Sequence, residues 1–548
     1  MSASLQKTRL IALLAMTVAP AAALAQEDVS SFVAVVNQAG RVELSWTNPA
    51  NLQGVVIVRR LGTAPTYVPG GRNAAPPPYG HTPESGTVVV ATVGTPGVAL
   101  TPNGTGSFID NGAVGPALVQ GARYHYRIHT ARRRGNSNNY DYSPGIVPTA
   151  QGLSVWPLGA SSAPLQWCYS VGMSNFARPV VQSGVRAMTV GNLGALTSNR
   201  VSDGVETWRP LPLGGLVQAR PVYSTLFAGA GSQPHIFTGD QAGSVYRINA
   251  ATRTEVWRRN SQQVFGVPAG TMMPIQASPV AQFAGVTGST APQDLVFFGT
   301  RTGGTNNRVA ALRNDGNTQW LYPAAGALGD ITGEMYVDYA NNRLWIPTNS
   351  ATSPLHVVSS INGAPVAGPT GMPSAIGPVA RGIVQGDVVR DAAGATVDTM
   401  VLVPANNGIW AFRRDTMQYL WHVPLTSAPT AHVLPIQGGF VVGFGTTVRR
   451  YRFPTGDSAQ TPVQMGPDVT LNGSPSSLRL VGSQFVFTAG NTLYQVDGFM
   501  TIQGQFTMPG DGALSPPQED GPSRVVVGTA DGRVCAVSLP LPAAGGTP

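Results

Sequence analysis

The chain has almost no lysine. Of its 34 basic residues in 548 positions, Lys7 alone is a lysine, and it lies near the start. Beyond it there is no amine for a Schiff base, a Walker-type phosphate loop or a Ser-x-x-Lys pair. Cysteine is equally scarce, with Cys168 and Cys535 the only two. Their spacing excludes a Cys-x-x-Cys redox pair and a Cys-x-x-Cys-His haem attachment. The seven histidines are dispersed, and neither a Gly-x-Ser-x-Gly elbow nor a His-Glu-x-x-His pair occurs. Charged residues make up only 11% of the chain. The net charge of +8 is carried by scattered arginines, apart from Arg132, Arg133 and Arg134, which are expected in a loop. A nucleic-acid-binding surface is therefore not expected. What is abundant is turn chemistry: 66 glycines and 46 prolines. Many short strands joined by Gly/Pro turns fit this composition better than helices do.

Residues 1–25 read MSASLQKTRLIALLAMTVAPAAALA. A basic start, an apolar run and Ala23-Leu24-Ala25 before Gln26 have the form of a secretory signal. The cleavage site carries no cysteine, which argues against a lipid anchor. No later stretch reaches the 18 apolar residues of a membrane span. The expectation is an exported protein, periplasmic or extracellular at the cell surface and not membrane-spanning, in a compartment that permits disulfides.

Residues 31–149 are expected to form one all-β module. VELSWTNP (42–49) alternates apolar and polar residues and ends in a turn, and GVVIVRRLG (54–62), TVVVATVG (87–94) and GARYHYRIHTA (121–131) follow. Tyr124 and Tyr126, two apart, share one strand face. Trp-Thr-x-Pro, a Val-Ile-x-Arg strand and Tyr-x-Tyr-x-Ile together resemble an immunoglobulin-like, fibronectin type III domain. The resemblance implies that Trp46 is a core tryptophan and that the module is a spacer or a binding surface. His125 and His129 share the opposite strand face. They are read as surface histidines, since no third metal ligand stands near them.

Internal repeats dominate the remainder. A proline-bearing start recurs as ARPVV (177–181), ARPVY (219–223), ASPVA (277–281), GPVA (377–380), APTAH (428–432), GSPSS (473–477) and LSPPQ (514–518), with GEMYV (333–337) in the one long gap. Each unit continues with an apolar strand, a Gly-containing hairpin, a second alternating strand and often a tryptophan. Asn407-Gly408 and Asp531-Gly532 are expected hairpin turns, because both central residues tolerate positive φ. The acidic stretches GDQAG (239–243), RNDGN (313–317) and TADGR (529–533) are also read as turns. Trp345 and Trp410 are read as packing residues. About four strands per unit, eight times over, indicate a β-propeller.

These repeats resemble the propellers with pyrroloquinoline-quinone-type (PQQ-type) repeats, in which a tryptophan closing each blade docks against the next. Trp208, Trp257, Trp320 and Trp421 match that place, and Trp167 matches it on an orphan strand. The expectation is an all-β chain. A signal peptide (1–25) precedes the sandwich (31–149), a linker (150–163), an eight-bladed PQQ-like propeller (164–540) and a tail (541–548). In such a ring the last blade borrows its fourth strand from the other terminus. The resemblance thus implies that 164–170 pairs beside 532–539 and that Cys168 and Cys535 form a disulfide latch. The rival reading is two unrelated buried thiols.

The resemblance also permits a search for chemistry. PQQ dehydrogenases use adjacent cysteines near the quinone and a calcium held by acidic and amide groups. Neither arrangement is assignable here, so no catalytic, cofactor-binding or metal-binding residue is named and neither PQQ nor calcium is expected. The propeller also resembles those of outer-membrane assembly factors and pilus-tip adhesins. The expected function is an exported, non-catalytic binding or scaffold protein. It would act through its propeller and sandwich faces on envelope, surface or pilus-associated proteins. The alternative is a quinone-dependent oxidoreductase, or another propeller enzyme, using the central funnel.

Overall fold

A computed structural model describes residues 27–543 except 37–40, 71–72, 119–122, 136, 149–152, 155–162, 171–178, 183, 192–194, 214, 227–232, 287–288, 325–327, 391–395, 455–457 and 510–511. The proposed signal segment lies outside the described residues. Among the described residues the chain is all-β, with strands from Ser30–Val36 to Arg533–Ser538 and one short helix, Ser261–Phe265.

The alternation in VELSWT becomes the strand Val42–Thr47, whose Val42, Leu44 and Trp46 turn inward and are buried. It lies between Ser30–Val36 and Thr105–Asp110 in a three-stranded antiparallel sheet. A second sheet runs in the order Thr87–Ala91, Gly54–Leu61, Arg123–Arg133, Tyr140–Tyr142. The two sheets enclose one core, in which Phe32 meets Trp46 edge-on at 6.3 Å and Tyr124 and Tyr126 are buried. Three details differ from the sequence expectation. Leu153–Ser154, inside the expected linker, pairs with Arg123–Tyr124. Arg132 and Arg133 are not in a loop; they end a strand opposite Asp141 and Tyr140, although their side chains are exposed. His129 is fully buried rather than at the surface.

Eight further antiparallel sheets follow among the described residues. Their first strands are Val180–Gln182, Val222–Ser224, Val280–Gln282, Tyr336–Asp338, Val384–Arg390, Leu434–Ile436, Arg479–Val481 and Gln518–Glu519. Each begins in or soon after one of the eight repeated starts, GEMYV included. Where a proline stands there, it keeps itself and the residue before it extended as the chain enters the strand. Five sheets have four strands in sequence order. The fourth has three, and the sixth has a fifth short strand, Val469–Thr470. The eighth takes its fourth strand, Leu165–Ser170, from the far end of the chain.

Successive sheets bury apolar side chains against each other. Met188 of the first packs with Ile236 of the second, Trp257 with Phe298, and Phe297 with Leu344. Trp345 packs with Trp410, Trp421 with Phe440, Val441 with Phe487, and Val486 with Val527. Val526 of the eighth sheet meets Ala187 of the first. Trp421 and Phe440 stack at 5.7 Å with planes 5° apart, a pairing worth about 1 kcal/mol beyond its burial.

Both expected hairpin turns exist, with altered centres. At 529–533 only Gly532 has positive φ, at 93°. The other loop is Asn406–Asn407, since Ala405 pairs with Gly408. Gly408 is already in the strand, and a Cβ there would lie 2.2 Å from the carbonyl oxygen of Val423. That glycine serves a close backbone approach rather than the turn. The tail also begins later than expected, because Leu541 is buried and its amide donates to Gln495 Oε1 at 2.7 Å.

Candidate binding site

The sequence singled out the tryptophans, and the structure gives four of them one role. Trp257 Nε1 donates to Asn314 O at 2.9 Å, Trp320 Nε1 to Ser360 O at 3.0 Å, and Trp421 Nε1 to Ser458 O at 2.9 Å. Each acceptor lies in the segment that follows the next sheet's third strand. Trp167 Nε1 donates to Val201 O at 2.9 Å, from the eighth sheet to the first. Each indole thus buries its rings between sheets and satisfies its one donor on the neighbour. Trp208 pairs with Ser198 in the last strand of the first sheet. Trp345 and Trp410 are fully buried.

Cys168 and Cys535 face each other on adjacent strands with their Cα atoms 4.1 Å apart, and they are disulfide-bonded. Among the described residues no cysteine remains a thiol.

The histidine pair does not act together. His129 Nδ1 lies 3.1 Å from Ser143 O and Nε2 lies 3.2 Å from Tyr67 O. Burial lowers its pKa, outweighing these two carbonyls. Among the described residues no group of three or more His, Cys, Asp or Glu side chains is placed to hold a metal ion. The acidic turns use their carboxylates locally. Asp240 accepts from the amides of Ala242 and Ser244 and from the Tyr246 hydroxyl, while Asp531 pairs with Arg533 at 2.6 Å.

Sequence reasoning missed the convergence of charge at the entrances to the first strands. Arg220 precedes Val222–Ser224 of the second sheet, and its Nη2 donates to Gln518 Oε1 of the eighth at 3.3 Å. Burial lowers the Arg220 pKa; Glu334, before the fourth sheet, opposes this, and Arg479, in the seventh, adds to it. Arg479 is also held low by burial, against the pull of Glu334 and Glu519. Arg381, before the fifth sheet, is lowered by burial alone, and its Nε donates to Pro429 O at 3.1 Å. Neighbouring entrances are bonded together: Ile383 N to Glu334 O at 3.1 Å, Gly382 N to His432 Nδ1 at 3.0 Å, and His432 N to Ser477 Oγ at 3.3 Å. Charges from the second, fourth, seventh and eighth sheets therefore lie within each other's field, although the residues are far apart in sequence.

A hollow of about 440 Å³ opens beside this cluster along the first strands of the second and third sheets. Arg220, Ser278 and Glu334 line it together with Tyr223, Leu226 and Phe283. A second hollow, of about 360 Å³, includes Gln518 and Glu519. Another hollow, of about 500 Å³, is in the sandwich. Its one carboxylate, Asp110, is already bonded to Arg59 at 2.8 Å and to the Tyr126 hydroxyl at 2.8 Å. It therefore offers no charge for a ligand.

No protein-family profile matches the chain, and no curated protein sequence does. Among solved structures, the chain is similar to BamB from Moraxella catarrhalis, with a TM-score of 0.44 and 14% identity over 67% of this chain and 97% of that one. It is similar to the computationally designed Ika8 protein, with a TM-score of 0.47 and 13% identity over 68% and 98%. It is also similar to the quinohemoprotein alcohol dehydrogenase ADHIIG from Pseudomonas putida HK5, with a TM-score of 0.48 and 11% identity over 70% and 78%. These likenesses concern the fold, and no role is carried over from them.

Proposed function

We propose that the protein is an exported binding or scaffold protein of the cell envelope or surface, built as a fibronectin type III-like sandwich followed by an eight-bladed propeller. Eight sheets and eight interlocking cores, the last joining the eighth sheet to the first, support the ring. The borrowed strand Leu165–Ser170 and the Cys168–Cys535 bond support its closure. In the sandwich, the sheet orders and the shared Trp46 core support the type III reading.

The observation that carries the function is the meeting of strand entrances from distant sheets, with Arg220 bonded to Gln518 and sharing a hollow with Glu334. A guanidinium stays protonated at any working pH and serves as neither general base nor nucleophile. Its planar donors suit recognition of an acidic partner. Fixed charges at the ring axis favour selection and docking over bond-making. The test is cross-linking and pull-down from the native envelope with a tag after Pro548, with ligand and metal mass analysis of the same sample. A stoichiometric envelope protein is the expected result. A bound quinone or metal ion with no protein partner would overturn the proposal.

A further inference from the structure

One position recurs at successive strand entrances. Arg220, Ser278 and Glu334 stand two residues before the first strands of the second, third and fourth sheets, Val222–Ser224, Val280–Gln282 and Tyr336–Asp338. Gly382 and His432 hold the same place before Val384–Arg390 and Leu434–Ile436. On that side the entrances are tightly packed. A Cβ on Gly382 would lie 2.2 Å from His432 Nδ1 and 3.1 Å from Glu334 Cβ, and the Gly382 amide donates to His432 Nδ1 at 3.0 Å. Between Arg220 and Glu334 the third sheet supplies only the short Ser278, and all three residues line the hollow of about 440 Å³.

The lining holds one guanidinium and one carboxylate, both on half-buried side chains. Arg220 gives its Nη2 to the neutral Gln518 Oε1 at 3.3 Å rather than to Glu334. Its Nε is buried without a hydrogen-bond partner. An acidic occupant would set a carboxylate against Glu334, and a basic one would set an ammonium against Arg220. An apolar occupant would cover both charges and compensate neither. An occupant that carries both signs matches both. The volume falls in the range of small-molecule sites. Tyr223, Phe283 and Leu226, which is 58% exposed, give the hollow an apolar wall.

We propose that this hollow binds a small zwitterion, a dipeptide with both ends free, with its carboxylate on Arg220 and its ammonium on Glu334. The two charges set the two ends of the ligand, and the apolar wall sets a hydrophobic side chain. This rests on the reading of these entrances as a binding site, and it adds a small ligand to the envelope partner.

The test is isothermal titration calorimetry of the full chain with glycyl-leucine, N-acetyl-glycyl-leucine and glycyl-leucinamide. Each blocked form lacks one charge. Glycyl-leucine should bind at least about tenfold more tightly than either, because each blocked form loses one charge-assisted contact. Arg220→Gln should erase the preference for glycyl-leucine over the amide and keep the preference over the acetylated form. Glu334→Gln should do the reverse. A misfolded variant would lose both preferences, so the crossed pattern reads the contacts and not the fold. Arg220→Lys keeps the charge and should retain both preferences, as should Arg449→Gln at the Arg449–Asp468 pair of the sixth sheet. No saturable binding of glycyl-leucine, equal affinity for the three peptides, or a charge variant that leaves both preferences intact would overturn the proposal. If the titration is negative and the pull-down still recovers a stoichiometric envelope protein, the ligand site is wrong while the scaffold reading stands.

Discussion

At the scale of single residues, the docking indoles make the sharpest test. Trp320 is buried, packs 5.6 Å from Phe297, and gives its only donor to Ser360 O. Trp320→Phe keeps most of the packing and leaves that buried carbonyl short of a donor, so it should cost about 1–2 kcal/mol. Trp320→Ala adds a cavity and should cost about 3–5 kcal/mol. Urea unfolding of both variants measures the difference. A Phe variant as unstable as the Ala variant would show that the hydrogen bond, not the ring, holds the sheets. These tryptophans were legible because they recur at one place in a repeat. His129 was not. Strand parity names its face, but the segment that covers that face comes from elsewhere, and a Cβ on Gly145 would lie 2.3 Å from the ring. The burial has a pH consequence. The His129 pKa is lower in the fold than in the open chain. Below about pH 6.5 the unfolded state therefore takes up a proton that the folded state refuses. Stability from this group is full above that pH and is lost as the pH falls toward the folded value. His235 and His356 are lowered by burial in the same direction. The urea midpoint should be lower at pH 5.5 than at pH 7.5, and His129→Gln should flatten the slope. A slope unchanged by His129→Gln would refute its share.

At the scale of elements, strand entrances were readable and turn centres were not. A proline beside small residues marks where a first strand begins, because the ring constrains its own φ and the residue before it. The same local logic placed Gly408 in a turn, whereas the glycine is needed one step later by the neighbouring strand. Gly408→Ala should therefore destabilise even though the hairpin Asn406–Asn407 can still form. Its Cβ would strike the Val423 carbonyl, and φ is 140°. The cost should be about 2 kcal/mol or more, against roughly 1 kcal/mol for an ordinary turn glycine forced into the same change. Comparing Gly408→Ala with Gly438→Ala in denaturant separates the two, since nothing lies within 4 Å of a Cβ at Gly438. The three-stranded fourth sheet was similarly invisible. Its unit supplies a proline-rich stretch after Leu355–Ser359, which returns to that strand at Pro365, bridged to Val358, and at Val366, whose amide donates to Val357 O at 2.9 Å.

At the scale of the whole molecule, what the sequence could say depended on whether distant residues carry a common mark. The two cysteines do: being the only pair, and lying one at each end of the repeat array, they announce the closing strand. The arginines at the strand entrances carry none. Arg220, Arg381 and Arg479 look like three of many scattered arginines until the sheets bring their entrances together. The closing bond spans 367 residues, so loop entropy alone assigns it about 6 kcal/mol of the folded state's advantage, a ceiling that residual structure in the reduced, unfolded chain lowers. Thiol trapping of the protein isolated without reductant should find no free cysteine. Reduction, or Cys168→Ser with Cys535→Ser, should lower the thermal midpoint by roughly 5 °C or more. The reduced chain should still keep Leu165–Ser170 in the eighth sheet, because Trp167 remains bonded to Val201 O and Ser538 N to Pro164 O at 2.8 Å. Loss should therefore appear as earlier opening of the eighth sheet on heating, seen by hydrogen exchange at Arg533–Ser538, and not as loss of the fold at 25 °C. If the double serine variant is as stable as the parent, the eighth sheet is held by its strand pairing and cores, and the disulfide adds nothing at equilibrium.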